Sequence, residues 1–118
     1  MDLTDKLLAA IDADQDHAVA RLVDWLRIPS VSAQPRHKAD CVAAAEWVRD
    51  QLVAIGFTAS LRETPSHPVV VAHHPGPGGD APHLLYYGHY DVQPADPFEL
   101  WTSPPFDPQI VQLSLIHI

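Results

Sequence analysis

The chain is poor in cysteine and in basic residues. Its one cysteine, Cys41, excludes a disulfide within the chain. Lys and Arg together number 7 against 15 Asp and Glu, which gives a net charge of -8. This balance, without any run of Lys or Arg, argues against nucleic-acid phosphates and anionic membrane surfaces as partners.

Long apolar runs are also missing. No stretch is long enough to span a bilayer, and the acidic start, Met-Asp-Leu-Thr-Asp-Lys, lacks the apolar segment of a signal peptide. Cys41 lies in a predicted helix, which favours a buried thiol in a reducing compartment. The sequence therefore predicts a cytoplasmic protein, and its 118 residues, 47% of them hydrophobic, suffice for one small domain with a core.

Apolar residues at helical spacing predict three helices. The first two carry stripes of Leu and Ile at residues 3–11 and of Val and Leu at residues 19–26, and the polar run 12–16 predicts a bend or a break between them. Pro29 ends the second helix, because proline disfavours helical geometry in the residue before it. Between Cys41 and Ile55 a third stripe ends at Gly56, a residue suited to a left-handed C-cap. All three stripes are predicted core faces.

After Gly56 the pattern becomes that of strands. Residues 57–62 and 69–72 are short strand candidates joined by a turn at 64–68. The run Leu-Leu-Tyr-Tyr at 84–87 suits a third strand buried on both faces. Helices followed by strands predict an α/β fold, and the pattern alone leaves the strand order open.

His89 and Asp91 follow this third candidate strand, directly after Gly88. In extended backbone, residues i and i+2 point to the same side, so the two side chains can face one pocket. The carboxylate can accept the proton of one ring nitrogen and leave the other nitrogen's lone pair free for a metal. Gly88 allows close packing or an unusual backbone angle there. On spacing alone, however, a His and an Asp two positions apart are more often surface polar residues than parts of a metal site.

The other candidate ligands are weaker. His73 and His74 are adjacent, so a strand would point them to opposite sides. Isolated histidines are commonly surface groups, which is the expectation for His17, His37 and His67. His83 lies at the start of the third candidate strand, away from its ligand end. Solvated loop acids are the expectation for Asp96, Glu99 and Asp107, and an anchor for its loop is the expectation for Trp101.

Two longer segments resemble a known family. They are Tyr-Tyr-Gly-His-Tyr-Asp-Val-Gln-Pro at 86–94 and Phe-Glu-Leu-Trp-Thr-Ser-Pro-Pro-Phe-Asp-Pro at 98–108. Both resemble the first metal-binding segment of the M20 metallopeptidases, most closely in the carnosinase-like and non-specific dipeptidase branch, and residues 25–32 resemble the family's first helix exit. The resemblance implies that residues 1–110 are the N-terminal part of a three-layer α/β zinc-peptidase catalytic domain, incomplete here, with two or three helices before strands of a mixed sheet.

The resemblance also implies roles for the pair. His89 would bind one of two zinc ions, with Mn²⁺ or Co²⁺ as alternatives, and Asp91 would be the catalytic residue that holds its imidazole. The implied reaction is metal-dependent hydrolysis of dipeptides or N-acyl amino acids. The family implies a homodimer formed through a separate domain that is absent here.

Beyond residue 110 the sequence departs from the family pattern. The expected Asp-Gly-x-Leu-Tyr-Gly-Arg-Gly is replaced by Val-Gln-Leu-Ser-Leu-Ile-His-Ile at 111–118. The family's bridging carboxylate and general base, which come later, are missing, and His117 lacks the context of the family's last ligand. We therefore expect a fragment with an aberrant tail at 111–118, inactive alone. The alternative is a small non-catalytic α/β domain or an inactive truncated relic.

Overall fold

The computed structural model describes residues 1–111 of the chain. The last seven residues of the predicted tail, 112–118 with His117, lie outside the described residues. The described part contains three α-helices followed by a two-stranded antiparallel sheet, which confirms the predicted α/β class. It divides into two units, one of residues 1–27 and 96 onward, the other of residues 28–95. No helix within residues 1–111 has both the length and the apolarity needed to cross a membrane.

The first unit contains helix α1 (Leu3–Ala13) and helix α2 (Gln15–Leu26). The Asp2 side chain caps α1 by accepting a hydrogen bond from the Asp5 amide at 2.8 Å. The helices are separated at Asp14, whose φ of -93° and ψ of 1° leave the helical region. The predicted break within the polar run 12–16 is therefore confirmed, and Asp14 is paired there with Arg21 at 2.6 Å.

The apolar stripes of these two helices were predicted as core faces, and this prediction is wrong for the described chain. In α1 the stripe residues are each more than half exposed, at Leu3, Leu7, Leu8 and Ile11. In α2 the stripe residues Leu22 and Leu26 are also exposed, at 49% and 40%. Periodicity predicts which side of a helix is apolar, but burial of that side depends on elements that come from elsewhere in the fold.

Helix α3 (Lys38–Ala54) begins the compact part of the second unit. Its stripe is confirmed at Cys41 and Ala45, which are fully buried together with Ala44, whereas Ile55 at its end is exposed. Gly56 has a φ of 98°, a left-handed conformation that Gly adopts without strain. The amides of Gly56 and Phe57 donate to the carbonyls of Val53 and Leu52, both at 3.0 Å. This is the predicted C-cap, and it turns the chain from the helix into the sheet.

Strand β1 (Thr58–Arg62) pairs antiparallel with strand β2 (Val69–His73), with Thr58 opposite His73 and Arg62 opposite Val69. The connecting turn is stabilised by the Thr64 hydroxyl, which donates to the His67 carbonyl at 2.7 Å. Helix α3 packs on this hairpin. Both strands were predicted within about one residue of their observed ends.

The third predicted strand, at residues 84–87, is wrong. In the described part of the chain these residues belong to no strand, and their side chains are 88–89% exposed. A strand requires a neighbour to accept and donate its backbone hydrogen bonds, and the apolar run has none among residues 1–111. His89 consequently does not follow the end of a strand, and its position is fixed by other contacts.

Cys41 offers a test of the core of the second unit. Burial raises the pKa of its thiol most, and the charges of Asp91 and Asp40 raise it further. Because the thiolate is the reactive form, we expect Cys41 to react with a disulfide reagent much more slowly in the native chain than in concentrated urea. Equal rates under the two conditions would contradict the buried position of this side chain.

Candidate metal-ligand site

His89 and Asp91 lie together, as their spacing predicted. The Nδ1 atom of His89 is 3.1 Å from Oδ1 of Asp91 and 3.0 Å from the backbone oxygen of the same residue. Both oxygens are acceptors, so Nδ1 carries the proton of the neutral imidazole and Nε2 keeps a lone pair. The His89 side chain is 75% exposed, which leaves this lone pair accessible.

Ser32 holds the other side of the Asp91 carboxylate. Its hydroxyl donates to Oδ2 at 2.6 Å, while Oδ1 faces His89. The Ser32 hydrogen bond lowers the pKa of Asp91 most, partial burial opposes it, and the contacts with His89 lower it further. The carboxyl group is therefore an ionised acceptor with both oxygens engaged, which suits it to fixing the tautomer of His89.

The backbone around Asp91 is fixed by residues 30–32. Val31 and Val92 form an isolated parallel bridge, and the Val92 amide donates to the Ser30 carbonyl at 3.0 Å. The Ser30 hydroxyl donates to the Tyr90 carbonyl at 2.8 Å. Ser30 is 3% exposed and Val31 is 1% exposed, so this connection is buried. The His89 segment is therefore positioned by these contacts with residues 30–32 and not by the predicted third strand.

A second layer of contacts supports the same segment. His67 Nε2 is 2.9 Å from the Ser32 carbonyl, and the Tyr90 hydroxyl donates to the Pro68 carbonyl at 2.6 Å. Burial is the main cause that raises the pKa of Tyr90, so its hydroxyl stays protonated as a donor. The expectation that His67 is a surface group is wrong, because its ring is half-buried and bonded to Ser32.

Ser30, Ser32 and His67 were missed as site residues. The alternation Ser-Val-Ser at 30–32 was the available signal, since in extended backbone it places both hydroxyls on the side away from the Val. The sequence does not indicate which residue each hydroxyl meets.

His73, His74 and His17 make contacts of their own. His74 contacts Phe57, with ring centroids 5.2 Å apart, and accepts the Gly76 amide on Nδ1 at 3.0 Å. His73 instead lies near His83, with centroids 6.0 Å apart. His17 is exposed and lies 3.3 Å from the Asp14 carboxylate. Within residues 1–111, no three His, Cys, Asp or Glu side chains form a metal-binding group. The donor chemistry of His89 thus fits one metal ligand, and a complete site needs others.

Comparison with known proteins supplies the family. The chain is 32% identical over 111 residues to the Cys-Gly metallodipeptidase dug1 of Schizosaccharomyces pombe, covering 86% of the chain and 23% of that protein. It is 31% identical over 117 residues to human Beta-Ala-His dipeptidase, with 88% and 23% covered. It is 34% identical over 87 residues to the succinyl-diaminopimelate desuccinylase of Delftia acidovorans, with 70% and 21% covered. No protein-family model matches the chain.

A solved structure of a dipeptidase is also similar to the chain. The dipeptidase Dug1p of Saccharomyces cerevisiae superposes with a TM-score of 0.72 at 28% identity, over 82% of this chain and 22% of that one. The chain is therefore homologous to the M20 metallopeptidases and corresponds to an N-terminal part of their peptidase domain. Its relatives include a metallodipeptidase and a Beta-Ala-His dipeptidase, and the chain spans less than a quarter of the length of the curated relatives it matches.

Proposed function

We propose that the chain provides the first metal-ligand segment of an M20 metallodipeptidase, with His89 binding the metal through Nε2. The observation that carries the proposal is the contact of Asp91 with Nδ1 of the same ring, at 3.1 Å, which leaves Nε2 as the open nitrogen. Asp91 acts by holding the imidazole and its tautomer. Such a carboxylate also raises the basicity of the ligand.

Zinc is the metal that we propose, two ions per complete site, with Mn²⁺ or Co²⁺ as alternatives. Imidazole nitrogen is a good zinc ligand. Because a zinc site needs at least three protein ligands, we propose that the remaining ligands come from outside the described residues. When bound, such metals polarise an amide carbonyl and lower the pKa of a water molecule. This chain's own contribution is to bind and orient, through His89 and Asp91.

Dipeptides are the proposed substrates of the whole protein. The S. pombe and human relatives are named as dipeptidases, for Cys-Gly and Beta-Ala-His. N-acyl amino acids are the second candidate, because the Delftia relative is named as a desuccinylase. We further propose that residues 1–110 are the family-like portion, that 111–118 depart from it, and that the whole protein is a cytoplasmic homodimer formed through a separate domain.

The test is a hybrid enzyme in which residues 1–110 replace the matched segment of the S. pombe metallodipeptidase. We expect metal-dependent hydrolysis of Cys-Gly, measured beside an N-succinyl amino acid, with the parent enzyme as control. Circular dichroism of hybrid and parent establishes that both are folded. A folded hybrid that binds the parent's metal content and cleaves neither substrate would contradict the proposal, and would favour a non-catalytic domain.

A further inference from the structure

The Ser32 side chain is the strongest feature that the proposed roles of His89 and Asp91 leave unused. It lies 59 positions before Asp91 in sequence, yet its hydroxyl donates to Oδ2 of that carboxylate at 2.6 Å. A carboxylate that is to fix an imidazole must itself be fixed, because rotation about its Cβ–Cγ bond would carry Oδ1 away from the ring. Ser32 opposes this rotation by holding Oδ2.

The backbone of Ser32 is itself held on two sides. The Val31–Val92 bridge precedes it, and His67 Nε2 lies 2.9 Å from its carbonyl oxygen. Since a carbonyl can only accept, Nε2 of His67 carries the proton. His67 therefore holds the backbone of Ser32, and the hydroxyl of the same serine holds the Asp91 carboxylate that faces Nδ1 of His89.

We propose that Ser32 is a positioning residue for the metal ligand: its hydroxyl locks the Asp91 carboxylate in the rotamer that keeps His89 protonated on Nδ1 and open on Nε2. The inference rests on the proposed metal role of His89, but the tautomer can be measured without metal. The proposed action of the Ser32 hydroxyl is exerted through the Asp91 carboxylate.

Ser30 provides a matched control. It is also a serine of the same buried connection, but its hydroxyl donates to the backbone carbonyl of Tyr90 at 2.8 Å and does not touch the carboxylate. Loss of the Ser30 hydroxyl should therefore weaken the fold but remove no hydrogen bond from the Asp91 carboxylate. Ser32→Thr is the conservative variant, because it keeps a hydroxyl at the same position.

The experiment measures the imidazole ¹⁵N shifts of His89 in the full chain of 118 residues, without metal and at alkaline pH. We expect mostly the Nδ1-protonated form in the parent and in Ser32→Thr, and a clear fall of that form in Ser32→Ala. Ser30→Ala should lower the unfolding midpoint and change the tautomer clearly less than Ser32→Ala does, because Ser30 bonds to the backbone and Ser32 to the carboxylate. Slow reaction of Cys41 in each variant establishes that the second unit is folded.

Addition of Zn²⁺ to the same samples tests the metal role of His89 separately from the positioning role of Ser32. We expect the His89 signals to respond at lower Zn²⁺ in the parent than in Ser32→Ala, by about 10-fold, the lower end of what loss of a supporting partner costs. An unchanged tautomer in Ser32→Ala, or an equal change in Ser30→Ala, would overturn the positioning role. A tautomer change without any response of His89 to Zn²⁺ in the parent would overturn the metal role instead.

Discussion

Replacing His89 by Ala in the hybrid enzyme should remove bound metal and abolish dipeptide hydrolysis. Nε2 is the proposed metal-binding atom, because Asp91 faces Nδ1 at 3.1 Å and the ring is exposed. Because His89→Ala removes the proposed ligand itself, the loss of metal affinity and hydrolysis rate should exceed the roughly 10–100-fold loss that follows removal of a ligand's supporting partner. Metal content by mass spectrometry and the Cys-Gly hydrolysis rate are the measurements.

Asp91→Asn should cause a smaller loss than His89→Ala, and two other histidine variants serve as controls. Asn keeps the size of Asp and can still accept from Nδ1, but it loses the charge, so we expect a loss of about 10–100-fold in affinity or rate. Asp91→Ala should be at least as harmful. His73→Ala and His74→Ala should be close to neutral, since neither ring belongs to the His89 arrangement. Metal loss in either of these variants with retention in His89→Ala would contradict the assignment.

The second large effect concerns the 118-residue chain by itself, which should hydrolyse no dipeptide above background with Zn²⁺, Mn²⁺ or Co²⁺ added. A catalytic zinc needs about three protein ligands, and a two-metal site needs a bridging group as well. Within residues 1–111, no group of three candidate ligands exists. The hydrolysis assay should use purified chain, with His89→Ala as the blank for trace contaminating peptidase.

Metal-dependent turnover by the parent chain that disappears in His89→Ala would contradict this prediction. Such a result would mean that the chain assembles a complete site, for instance between copies of itself. Turnover that persists in His89→Ala would instead reveal a contaminating enzyme, because the variant lacks the proposed ligand.

The helices and the hairpin could be predicted because their signals are local. Apolar spacing within α3, the glycine at its end and the turn residues at 64–68 act over a few positions, and the observed elements follow them. The pairing of His89 with Asp91 was predictable for the same reason, since two residues that are two apart share a side of the backbone.

The misses depend on contacts between distant residues. The run 84–87 has the composition of a buried strand, but a strand forms only where a neighbour completes its hydrogen bonds, and composition does not supply the neighbour. The exposed stripe of α1 has the same cause. The contact of Ser32 with Asp91 joins positions 59 apart, and a serine in a loop gives no sign of its partner.

The most direct measurement is a Co²⁺ titration of the folded 118-residue chain, followed through the imidazole ¹⁵N signals of its histidines. We expect His89 to respond first, at Nε2, and His89→Ala to remove this response while His73→Ala does not. A first response at His73 or His74, with His89 unaffected, would contradict the proposal that this chain carries the metal ligand after Gly88.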